Sequence, residues 1–180
     1  MSLESIITIS GRISSGKSYA ANLIQKRFDT PIASFGGYLK YYCEQNGLPT
    51  DRKTLQDLGE RFVIENPSQF TTAVVSHFAG SSKRITIEGV RHLVIFKEIE
   101  NLTKNHISVF TEADLQIRFN RYVQRNKESD QLKTFEQFII SDHHPVELEI
   151  ELLKPLCSIV VDSTKDYSAE LFEFLSSRSI

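Results

Sequence analysis

The chain has 180 residues, of which 40% are hydrophobic and 24% charged, and a formal net charge of −2. This length suffices for one domain with a substantial core, and the small net charge gives no overall electrostatic reason to expect nucleic acid or an anionic membrane as partner. Cys43 and Cys157 lack metal-type spacing, and no apolar run approaches the ~18 residues of a membrane-spanning helix. Since the start also shows no secretory signal, we expect a cytoplasmic protein with reduced thiols.

Strand and helix patterns alternate along the chain. Short β-branched or apolar runs predict strands at residues 6–9, 31–35, 84–88, 107–110 and 158–161. Helical spacing of apolar residues predicts helices at residues 17–27, 92–102, 112–125, 135–141, 146–153 and 168–175. A long helical region, residues 36–80, lies between the second and third strands and is interrupted near residues 46–47 and 66–67. This order predicts an α/β fold of three layers, α/β/α, with a five-stranded parallel sheet.

A phosphate-binding loop follows the first predicted strand, where residues 11–18 fit G-x-x-x-x-G-K-[ST] (the Walker A pattern). The glycines let the backbone turn sharply and bring N–H groups against phosphate oxygens. Lys17 supplies charge for the β- and γ-phosphates, and the Ser18 hydroxyl suits Mg²⁺. The next helix directs its positive N-terminal end at the same anion. The predicted cofactors are therefore ATP and Mg²⁺, and the predicted nucleotide-binding residues are Gly11, Ile13, Ser14, Ser15, Gly16, Lys17, Ser18 and Tyr19.

The loop alone does not separate kinases from GTPases or motor ATPases. A signalling GTPase is disfavoured because residues 164–167 (T-K-D-Y) place the acid of a guanine-reading element one position early, and no convincing D-x-x-G element precedes them. Glu88 ends the third predicted strand, where an acid can hold Mg²⁺ directly or through water. Arg91 is expected to face the same crevice and grip an acceptor phosphate. The alternative is an exposed turn with a surface arginine.

Three arginines, Arg118, Arg121 and Arg125, are spaced to share one helix face. Such a face repels itself unless anions lie opposite, and Glu112 and Asp114, expected near the helix start, do not neutralise it. A positive clamp of this kind suits phosphoryl transfer between two anions, whereas a solvated basic face is the alternative. The polar residues 126–134 are predicted to follow as a short lid, within a lid region of about residues 118–142.

The chain resembles the nucleoside monophosphate kinase-like group, which includes adenylate kinases, deoxynucleotide kinases and dephospho-CoA kinase. The resemblance rests on the phosphate loop, on residues 88–91 (E-G-V-R), on the three arginines as lid residues, on residues 34–40 (S-F-G-G-Y-L-K) and on residues 52–59 (R-x-x-L-Q-x-x-G). It implies a nucleotide-kinase-like fold and an acceptor site in the helical insertion 36–80. It further implies that adenine rests near Ser163, although capping of the last helix is the alternative for this segment. The acceptor-binding residues that it implies are Ser34, Gly37, Lys40 and Arg91.

Several positions depart from the pattern of that group. Ser14 replaces a common glycine, Gly37 stands where aspartate is usual, and Lys40 stands where arginine is usual. Lysine keeps the charge of arginine but loses its planar bidentate fork. The Asp-Ala-Asp element of dephospho-CoA kinase is also missing after the second strand, which argues against that enzyme.

We therefore expect a single domain, residues 1–180, that is a kinase using ATP and Mg²⁺ to phosphorylate a small-molecule acceptor, foremost a nucleoside or deoxynucleoside monophosphate. The expected metal residues are Ser18 and Glu88, and the expected catalytic residues are Lys17, Arg91, Arg118, Arg121 and Arg125. No nucleic-acid or membrane partner is expected, and the sequence does not indicate an oligomeric state. Two alternatives remain open. One is an ATP-binding regulatory or assembly ATPase, and the other is a kinase of a non-nucleotide metabolite such as a dephospho-CoA-like substrate.

Overall fold

Five parallel strands form one sheet in the computed structural model, which describes residues 3–125, 134–178 and 180, without the side chain of Arg52. The order across the sheet is β2-β3-β1-β4-β5. The strands are β1 (Ser5–Ser10), β2 (Ile32–Ser34), β3 (Arg84–Glu88), β4 (His106–Glu112) and β5 (Ile159–Asp162). Within the described ranges, no helix is long and apolar enough to cross a membrane.

Helices connect the strands and cover both faces of the sheet. Three of them, α2, α3 and α4, lie between β2 and β3 in the chain, and this is the long helical region expected from the sequence. The helices are α1 (Lys17–Phe28), α2 (Phe35–Gln45), α3 (Arg52–Glu65), α4 (Pro67–Ala79), α5 (Leu93–Leu102), α6 (Leu115–Gln124), α7 (Phe135–Asp142), α8 (Pro145–Glu151) and α9 (Ser168–Ser177). A short 3₁₀ turn, Lys154–Leu156, follows α8.

The core consists of two clusters, one on each face of the sheet. Alternate residues of β1 point to opposite faces, so that Ile6 belongs to the cluster with α2 to α5, and Ile7 belongs to the cluster with α1 and α9. All six residues of β1 are buried, as expected for a central strand covered on both faces. The predicted three-layer fold with a five-stranded parallel sheet is confirmed.

The boundaries differ from the prediction in two places that matter for the site. Glu112 is the last residue of β4, not part of a helix, because α6 begins only at Leu115. Asp114 caps that helix, since its side chain accepts a hydrogen bond from the Ile117 N–H. Phe35 was expected in the second strand, but β2 ends at Ser34, whose side chain caps α2.

The topology creates a crevice between the carboxyl ends of β1 and β3. The chain leaves β1 through α1, which packs on one face, and leaves β3 through α5, which packs on the other. Adjacent strands whose connections go to opposite faces leave such a crevice, and ligands of open α/β sheets bind there. The loop from Gly11 to Gly16 and the segment that follows Glu88 both begin at this point.

A buried histidine makes stability depend on pH. His106 Nε2 lies 2.8 Å from Thr8 Oγ1, and burial lowers the pKa of His106 from 6.5 to about 4. The Glu100 carboxylate, 3.9 Å from Nδ1, is exposed and does not offset this burial. Because the unfolded state takes up the proton first, the contribution of His106 is complete above pH 6.5 and is lost as the pH falls towards 4.

We predict that the wild-type protein loses about 3 kcal/mol more unfolding free energy between pH 7 and pH 4 than His106→Gln does, because glutamine cannot titrate. Urea denaturation at a series of pH values measures this difference. Parallel pH dependence in the two proteins would contradict the assignment.

Candidate active site

The phosphate loop connects the end of β1 to the start of α1. Several of its residues have backbone conformations that residues with a side chain rarely adopt. Gly11 has φ 144°, and a Cβ there would lie 2.4 Å from the Thr111 carbonyl oxygen of β4. Gly16 has φ 101° and packs against Ser163. Ser14 has φ 59°, the left-handed conformation that a glycine would adopt more easily. Ser14 therefore has a left-handed backbone conformation, although it stands where glycine is common.

Lys17 folds back over the loop that precedes it. Its Nζ donates hydrogen bonds to the carbonyl oxygens of Gly11 at 2.7 Å and Arg12 at 2.8 Å. Burial is the main cause that lowers the pKa of Lys17 to about 7, and the neighbouring Arg91 lowers it further. Glu147 and Glu88 act in the opposite direction. An ammonium group in such surroundings gains strongly from a phosphate anion nearby.

Glu88 lies at the carboxyl end of β3, in register with Ile9 of β1 and with Ser34 of β2. The next residue, Gly89, donates its N–H to the Ile9 carbonyl oxygen at 2.9 Å, which holds this segment against the start of the phosphate loop. Glu88 is half-buried, whereas Ser18, at the start of α1, is exposed. The two predicted metal residues therefore lie on neighbouring sides of the crevice.

The three predicted clamp arginines have different surroundings. Arg118 is 5% exposed and makes a bidentate ion pair with Asp142 of α7, a residue that also pairs with Arg12 of the loop. Arg121 donates to the Ser163 hydroxyl at 2.8 Å and also to its backbone carbonyl oxygen.

Arg125 is exposed at the end of α6 and is close enough to Lys17 to lower its pKa. The predicted lid residues 126–133 lie outside the described part of the chain. For Arg118, the anion expected opposite the arginine face is the carboxylate of Asp142.

Two functional candidates were missed by sequence reasoning. Asp142 is 2% exposed and joins α7 to the phosphate loop through Arg12. Glu147 of α8 is 5% exposed, accepts the Ile13 N–H at 2.9 Å and pairs with Arg91 at 2.8 Å. Both acids flank Pro145, which begins α8, but no sequence spacing relates them to residues more than 100 positions earlier.

Three of the four predicted acceptor residues, Ser34, Gly37 and Lys40, lie at and after the end of β2. Ser34 accepts the Gly37 N–H at 3.0 Å and so caps α2. Lys40 is exposed and lies 3.9 Å from Glu44, one helical turn later. Aromatic side chains fill the space between α2, α3 and α4, with ring centroids 5.2 Å apart for Phe35 and Phe70 and also for Phe62 and Phe70. Arg91, the fourth predicted acceptor residue, lies instead three residues after the end of β3 and is close enough to Lys17 to lower its pKa.

The residues at the loop fit a nucleoside triphosphate with Mg²⁺. The Ser14 side chain is buried, and its hydroxyl has no hydrogen-bond partner among the described residues, so it can donate to a phosphate oxygen. The first turn of α1 provides N–H groups with no partner within the helix. The described residues contain no group of three or more His, Cys, Asp or Glu side chains that could hold a metal ion.

Comparison with solved structures shows that the fold is shared with proteins that include kinases. A shikimate kinase from Acinetobacter baumannii, solved in complex with shikimate, has a TM-score of 0.61 and 13% identity, over 99% of this chain and 96% of that one. A gluconokinase from Sinorhizobium meliloti 1021 has a TM-score of 0.56 and 15% identity, over 100% of both chains. An uncharacterized protein from Eubacterium ventriosum has a TM-score of 0.64 and 14% identity, over 97% of this chain and 99% of that one. No family model matches the chain. At these identities the likeness establishes a shared fold.

Asp142 is predicted to be essential for stability. Asp142→Asn leaves the guanidinium groups of Arg12 and Arg118 without their shared buried counter-charge, which should cost about 3–5 kcal/mol of unfolding free energy. Chemical denaturation measures the loss. Glu44→Gln, which removes an exposed carboxylate, is the matched control and should change stability by less than about 0.5 kcal/mol. Equal effects of the two substitutions would show that the buried pairs do not matter.

Adjacent glycines at the start of α2 should respond differently to alanine. A Cβ on Gly37 would lie 2.8 Å from Ser34 Oγ and displace the cap, whereas a Cβ on Gly36 meets no atom within 4 Å. We expect Gly37→Ala to be about 1–2 kcal/mol less stable than Gly36→Ala in urea denaturation. If Gly37→Ala were the more stable of the two, Ser34 would not be an important cap.

Proposed function

We propose that the chain is an ATP- and Mg²⁺-dependent phosphotransferase that acts on a small-molecule acceptor, most directly a nucleoside or deoxynucleoside monophosphate. The observation that carries this proposal is the position of Arg91, close to Lys17 at the end of the neighbouring strand. A second cation beside the phosphate loop suits an acceptor that is itself an anion. The shared fold with known kinases supports phosphotransfer but does not select the acceptor.

Each charged group then has a role. ATP would supply the phosphoryl group, and Mg²⁺, when bound, would neutralise charge on its phosphates. Lys17 and the N–H groups of the loop bind these phosphates, and Ser18 and Glu88 serve the metal. Arg91 binds the acceptor anion. Arg125 faces the transferred group, while Arg121 and Ser163 lie beside Gly16 and form one wall of the adenine site.

Arg118 would act differently from the other two arginines of α6. Because Asp142 already neutralises it, Arg118 contributes by holding the loop, through Asp142 and Arg12, in the conformation that binds phosphate. In the same proposal, α2 to α4 provide the acceptor wall.

A second candidate is a kinase of a hydroxyl-bearing metabolite that is not a nucleotide. Two proteins with the same fold are a shikimate kinase and a gluconokinase. Lys40, one of the two predicted acceptor cations, points into solvent towards Glu44, so that a strongly anionic acceptor has fewer partners than expected. This candidate predicts turnover with sugar acids or cyclic hydroxy acids instead of nucleoside monophosphates.

A coupled assay of ADP release separates these candidates. We predict that at least one nucleoside or deoxynucleoside monophosphate raises ADP release well above the rate with ATP alone, and that shikimate and gluconate do not. Turnover with only the hydroxy acids would favour the second candidate. If ATP binds and no acceptor raises turnover, the chain is instead a regulatory or assembly ATPase.

Lys17→Ala should abolish this transfer, because the loop then lacks the charge that stabilises the β- and γ-phosphates. Lys26→Ala, at an exposed position near the end of the same helix, is the matched control and should retain the wild-type rate. Transfer that survives in Lys17→Ala would show that the phosphate site lies elsewhere.

A further inference from the structure

The carboxylate of Glu147 occupies an anion-binding position in the candidate site. One of its oxygens accepts the N–H of Ile13, inside the phosphate loop, at 2.9 Å. The other accepts from the guanidinium of Arg91 at 2.8 Å. Lys17 is close enough for Glu147 to influence its pKa. A loop amide and a guanidinium group thus both bind one buried carboxylate.

Both donors are groups that the proposed function assigns to phosphates. Loop N–H groups and Lys17 bind the donor phosphates, and Arg91 binds the acceptor. A carboxylate resembles a phosphate in its negative charge and in its oxygen acceptors, and both are suited to guanidinium and amide donors. Glu147 therefore stands where the protein would place an anionic group of a substrate.

The helix that carries Glu147 is held beside the site by other contacts. Glu149 accepts the Leu93 N–H at 2.9 Å at the start of α5, and its second oxygen lies 2.9 Å from His92 Nδ1. On another side of α8, Glu151 lies 3.8 Å from Arg12. Because α8 has these separate attachments, the Glu147 side chain can leave the loop without loss of the whole helix.

We propose that Glu147 is an internal competitor for a substrate phosphate group, which must displace the carboxylate to reach Arg91 and the Ile13 N–H. This inference rests on the proposed function. In the absence of substrate, Glu147 balances the positive charge of the site. A group with more negative charge than a carboxylate displaces it most readily. Arg91 is suited to the exchange because its side chain is 46% exposed and can turn from one anion to the other.

Two other roles for Glu147 fit the geometry less well. A general base is not required when the acceptor is a phosphate, because that group is already anionic. A purely structural ion pair would be expected to keep both partners buried, whereas Arg91 is nearly half exposed. Either role would keep the carboxylate at Ile13 and Arg91 when phosphate is bound, whereas a competitor leaves both.

Isothermal titration calorimetry with Glu147→Gln tests the proposal. Glutamine keeps the shape and one oxygen acceptor for Ile13 but removes the competing charge. We expect about tenfold tighter binding of Mg·ATP or of a nucleoside monophosphate than in the wild type. Glu173→Gln removes one charge from the exposed surface of α9 and, as the matched control, should change affinity by less than twofold.

The choice of ligand locates the phosphate that is excluded. A gain for Mg·ATP but not for Mg·ADP identifies the γ-phosphate, and a gain for the monophosphate identifies the acceptor phosphate. Unchanged or weaker binding of all three by Glu147→Gln, with normal ATP binding by the wild type, overturns this inference and leaves the proposed function standing. Failure of both proteins to bind ATP instead refutes the proposed function.

A crystal structure of the wild-type protein provides a second test that does not require the variant to fold. With a non-hydrolysable ATP analogue and a monophosphate bound, Glu147 should have left both Ile13 and Arg91. If the carboxylate keeps both contacts while the phosphates are bound, Glu147 is a permanent part of the site and the competitor model is wrong.

Discussion

The strand β1 is hydrogen-bonded along both edges, to β3 on one side and to β4 on the other, and is buried on both faces. Its carboxyl end is therefore fixed in three dimensions by the whole sheet. This fixed end positions the segments of the candidate site that lie next to it. The phosphate loop leaves it directly, Gly89 is hydrogen-bonded to Ile9, and Thr111 of β4 touches the loop from the opposite side. A loop with little preference of its own for this conformation can thus keep one shape.

Charge balance is the second constraint on the site. Four cationic side chains, those of Arg12, Lys17, Arg91 and Arg118, lie in or beside the loop, and unpaired they would repel one another. Asp142 and Glu147, from two short helices late in the chain, provide the compensation. The two acids differ in their surroundings. Asp142 is enclosed together with a buried arginine, whereas Glu147 faces an arginine that is half exposed, so the first pair is suited to holding shape and the second to exchange.

Local patterns were enough to predict the fold and the position of the loop between β1 and α1. The β-branched runs identified the strands, and the glycine spacing of residues 11–18 identified the loop, because both depend on neighbours in the chain. The end of β4 was placed wrongly because Glu112 and Asp114 look alike as acids near a helix start, and only the position of the strand pairing distinguishes them. Asp142 and Glu147 could not be assigned from sequence, since their partners in the loop, Arg12 and Ile13, lie 130 and 134 residues away. Spacing carries no information over such distances.

Ser14 shows where the loop obtains its shape. A serine in the left-handed region is strained by about 1 kcal/mol relative to glycine, so the conformation must be imposed from outside. The hydroxyl of Ser15 meets that of Thr111 at 2.8 Å, and the backbone at Gly11 leaves no room before the Thr111 carbonyl oxygen. Thr111 therefore restricts the conformation of the loop, although it belongs to β4 and not to the loop. A substitution of Thr111 that removes its hydroxyl would remove the hydrogen bond to Ser15. It would thereby alter the support of the loop without changing any residue of the loop itself.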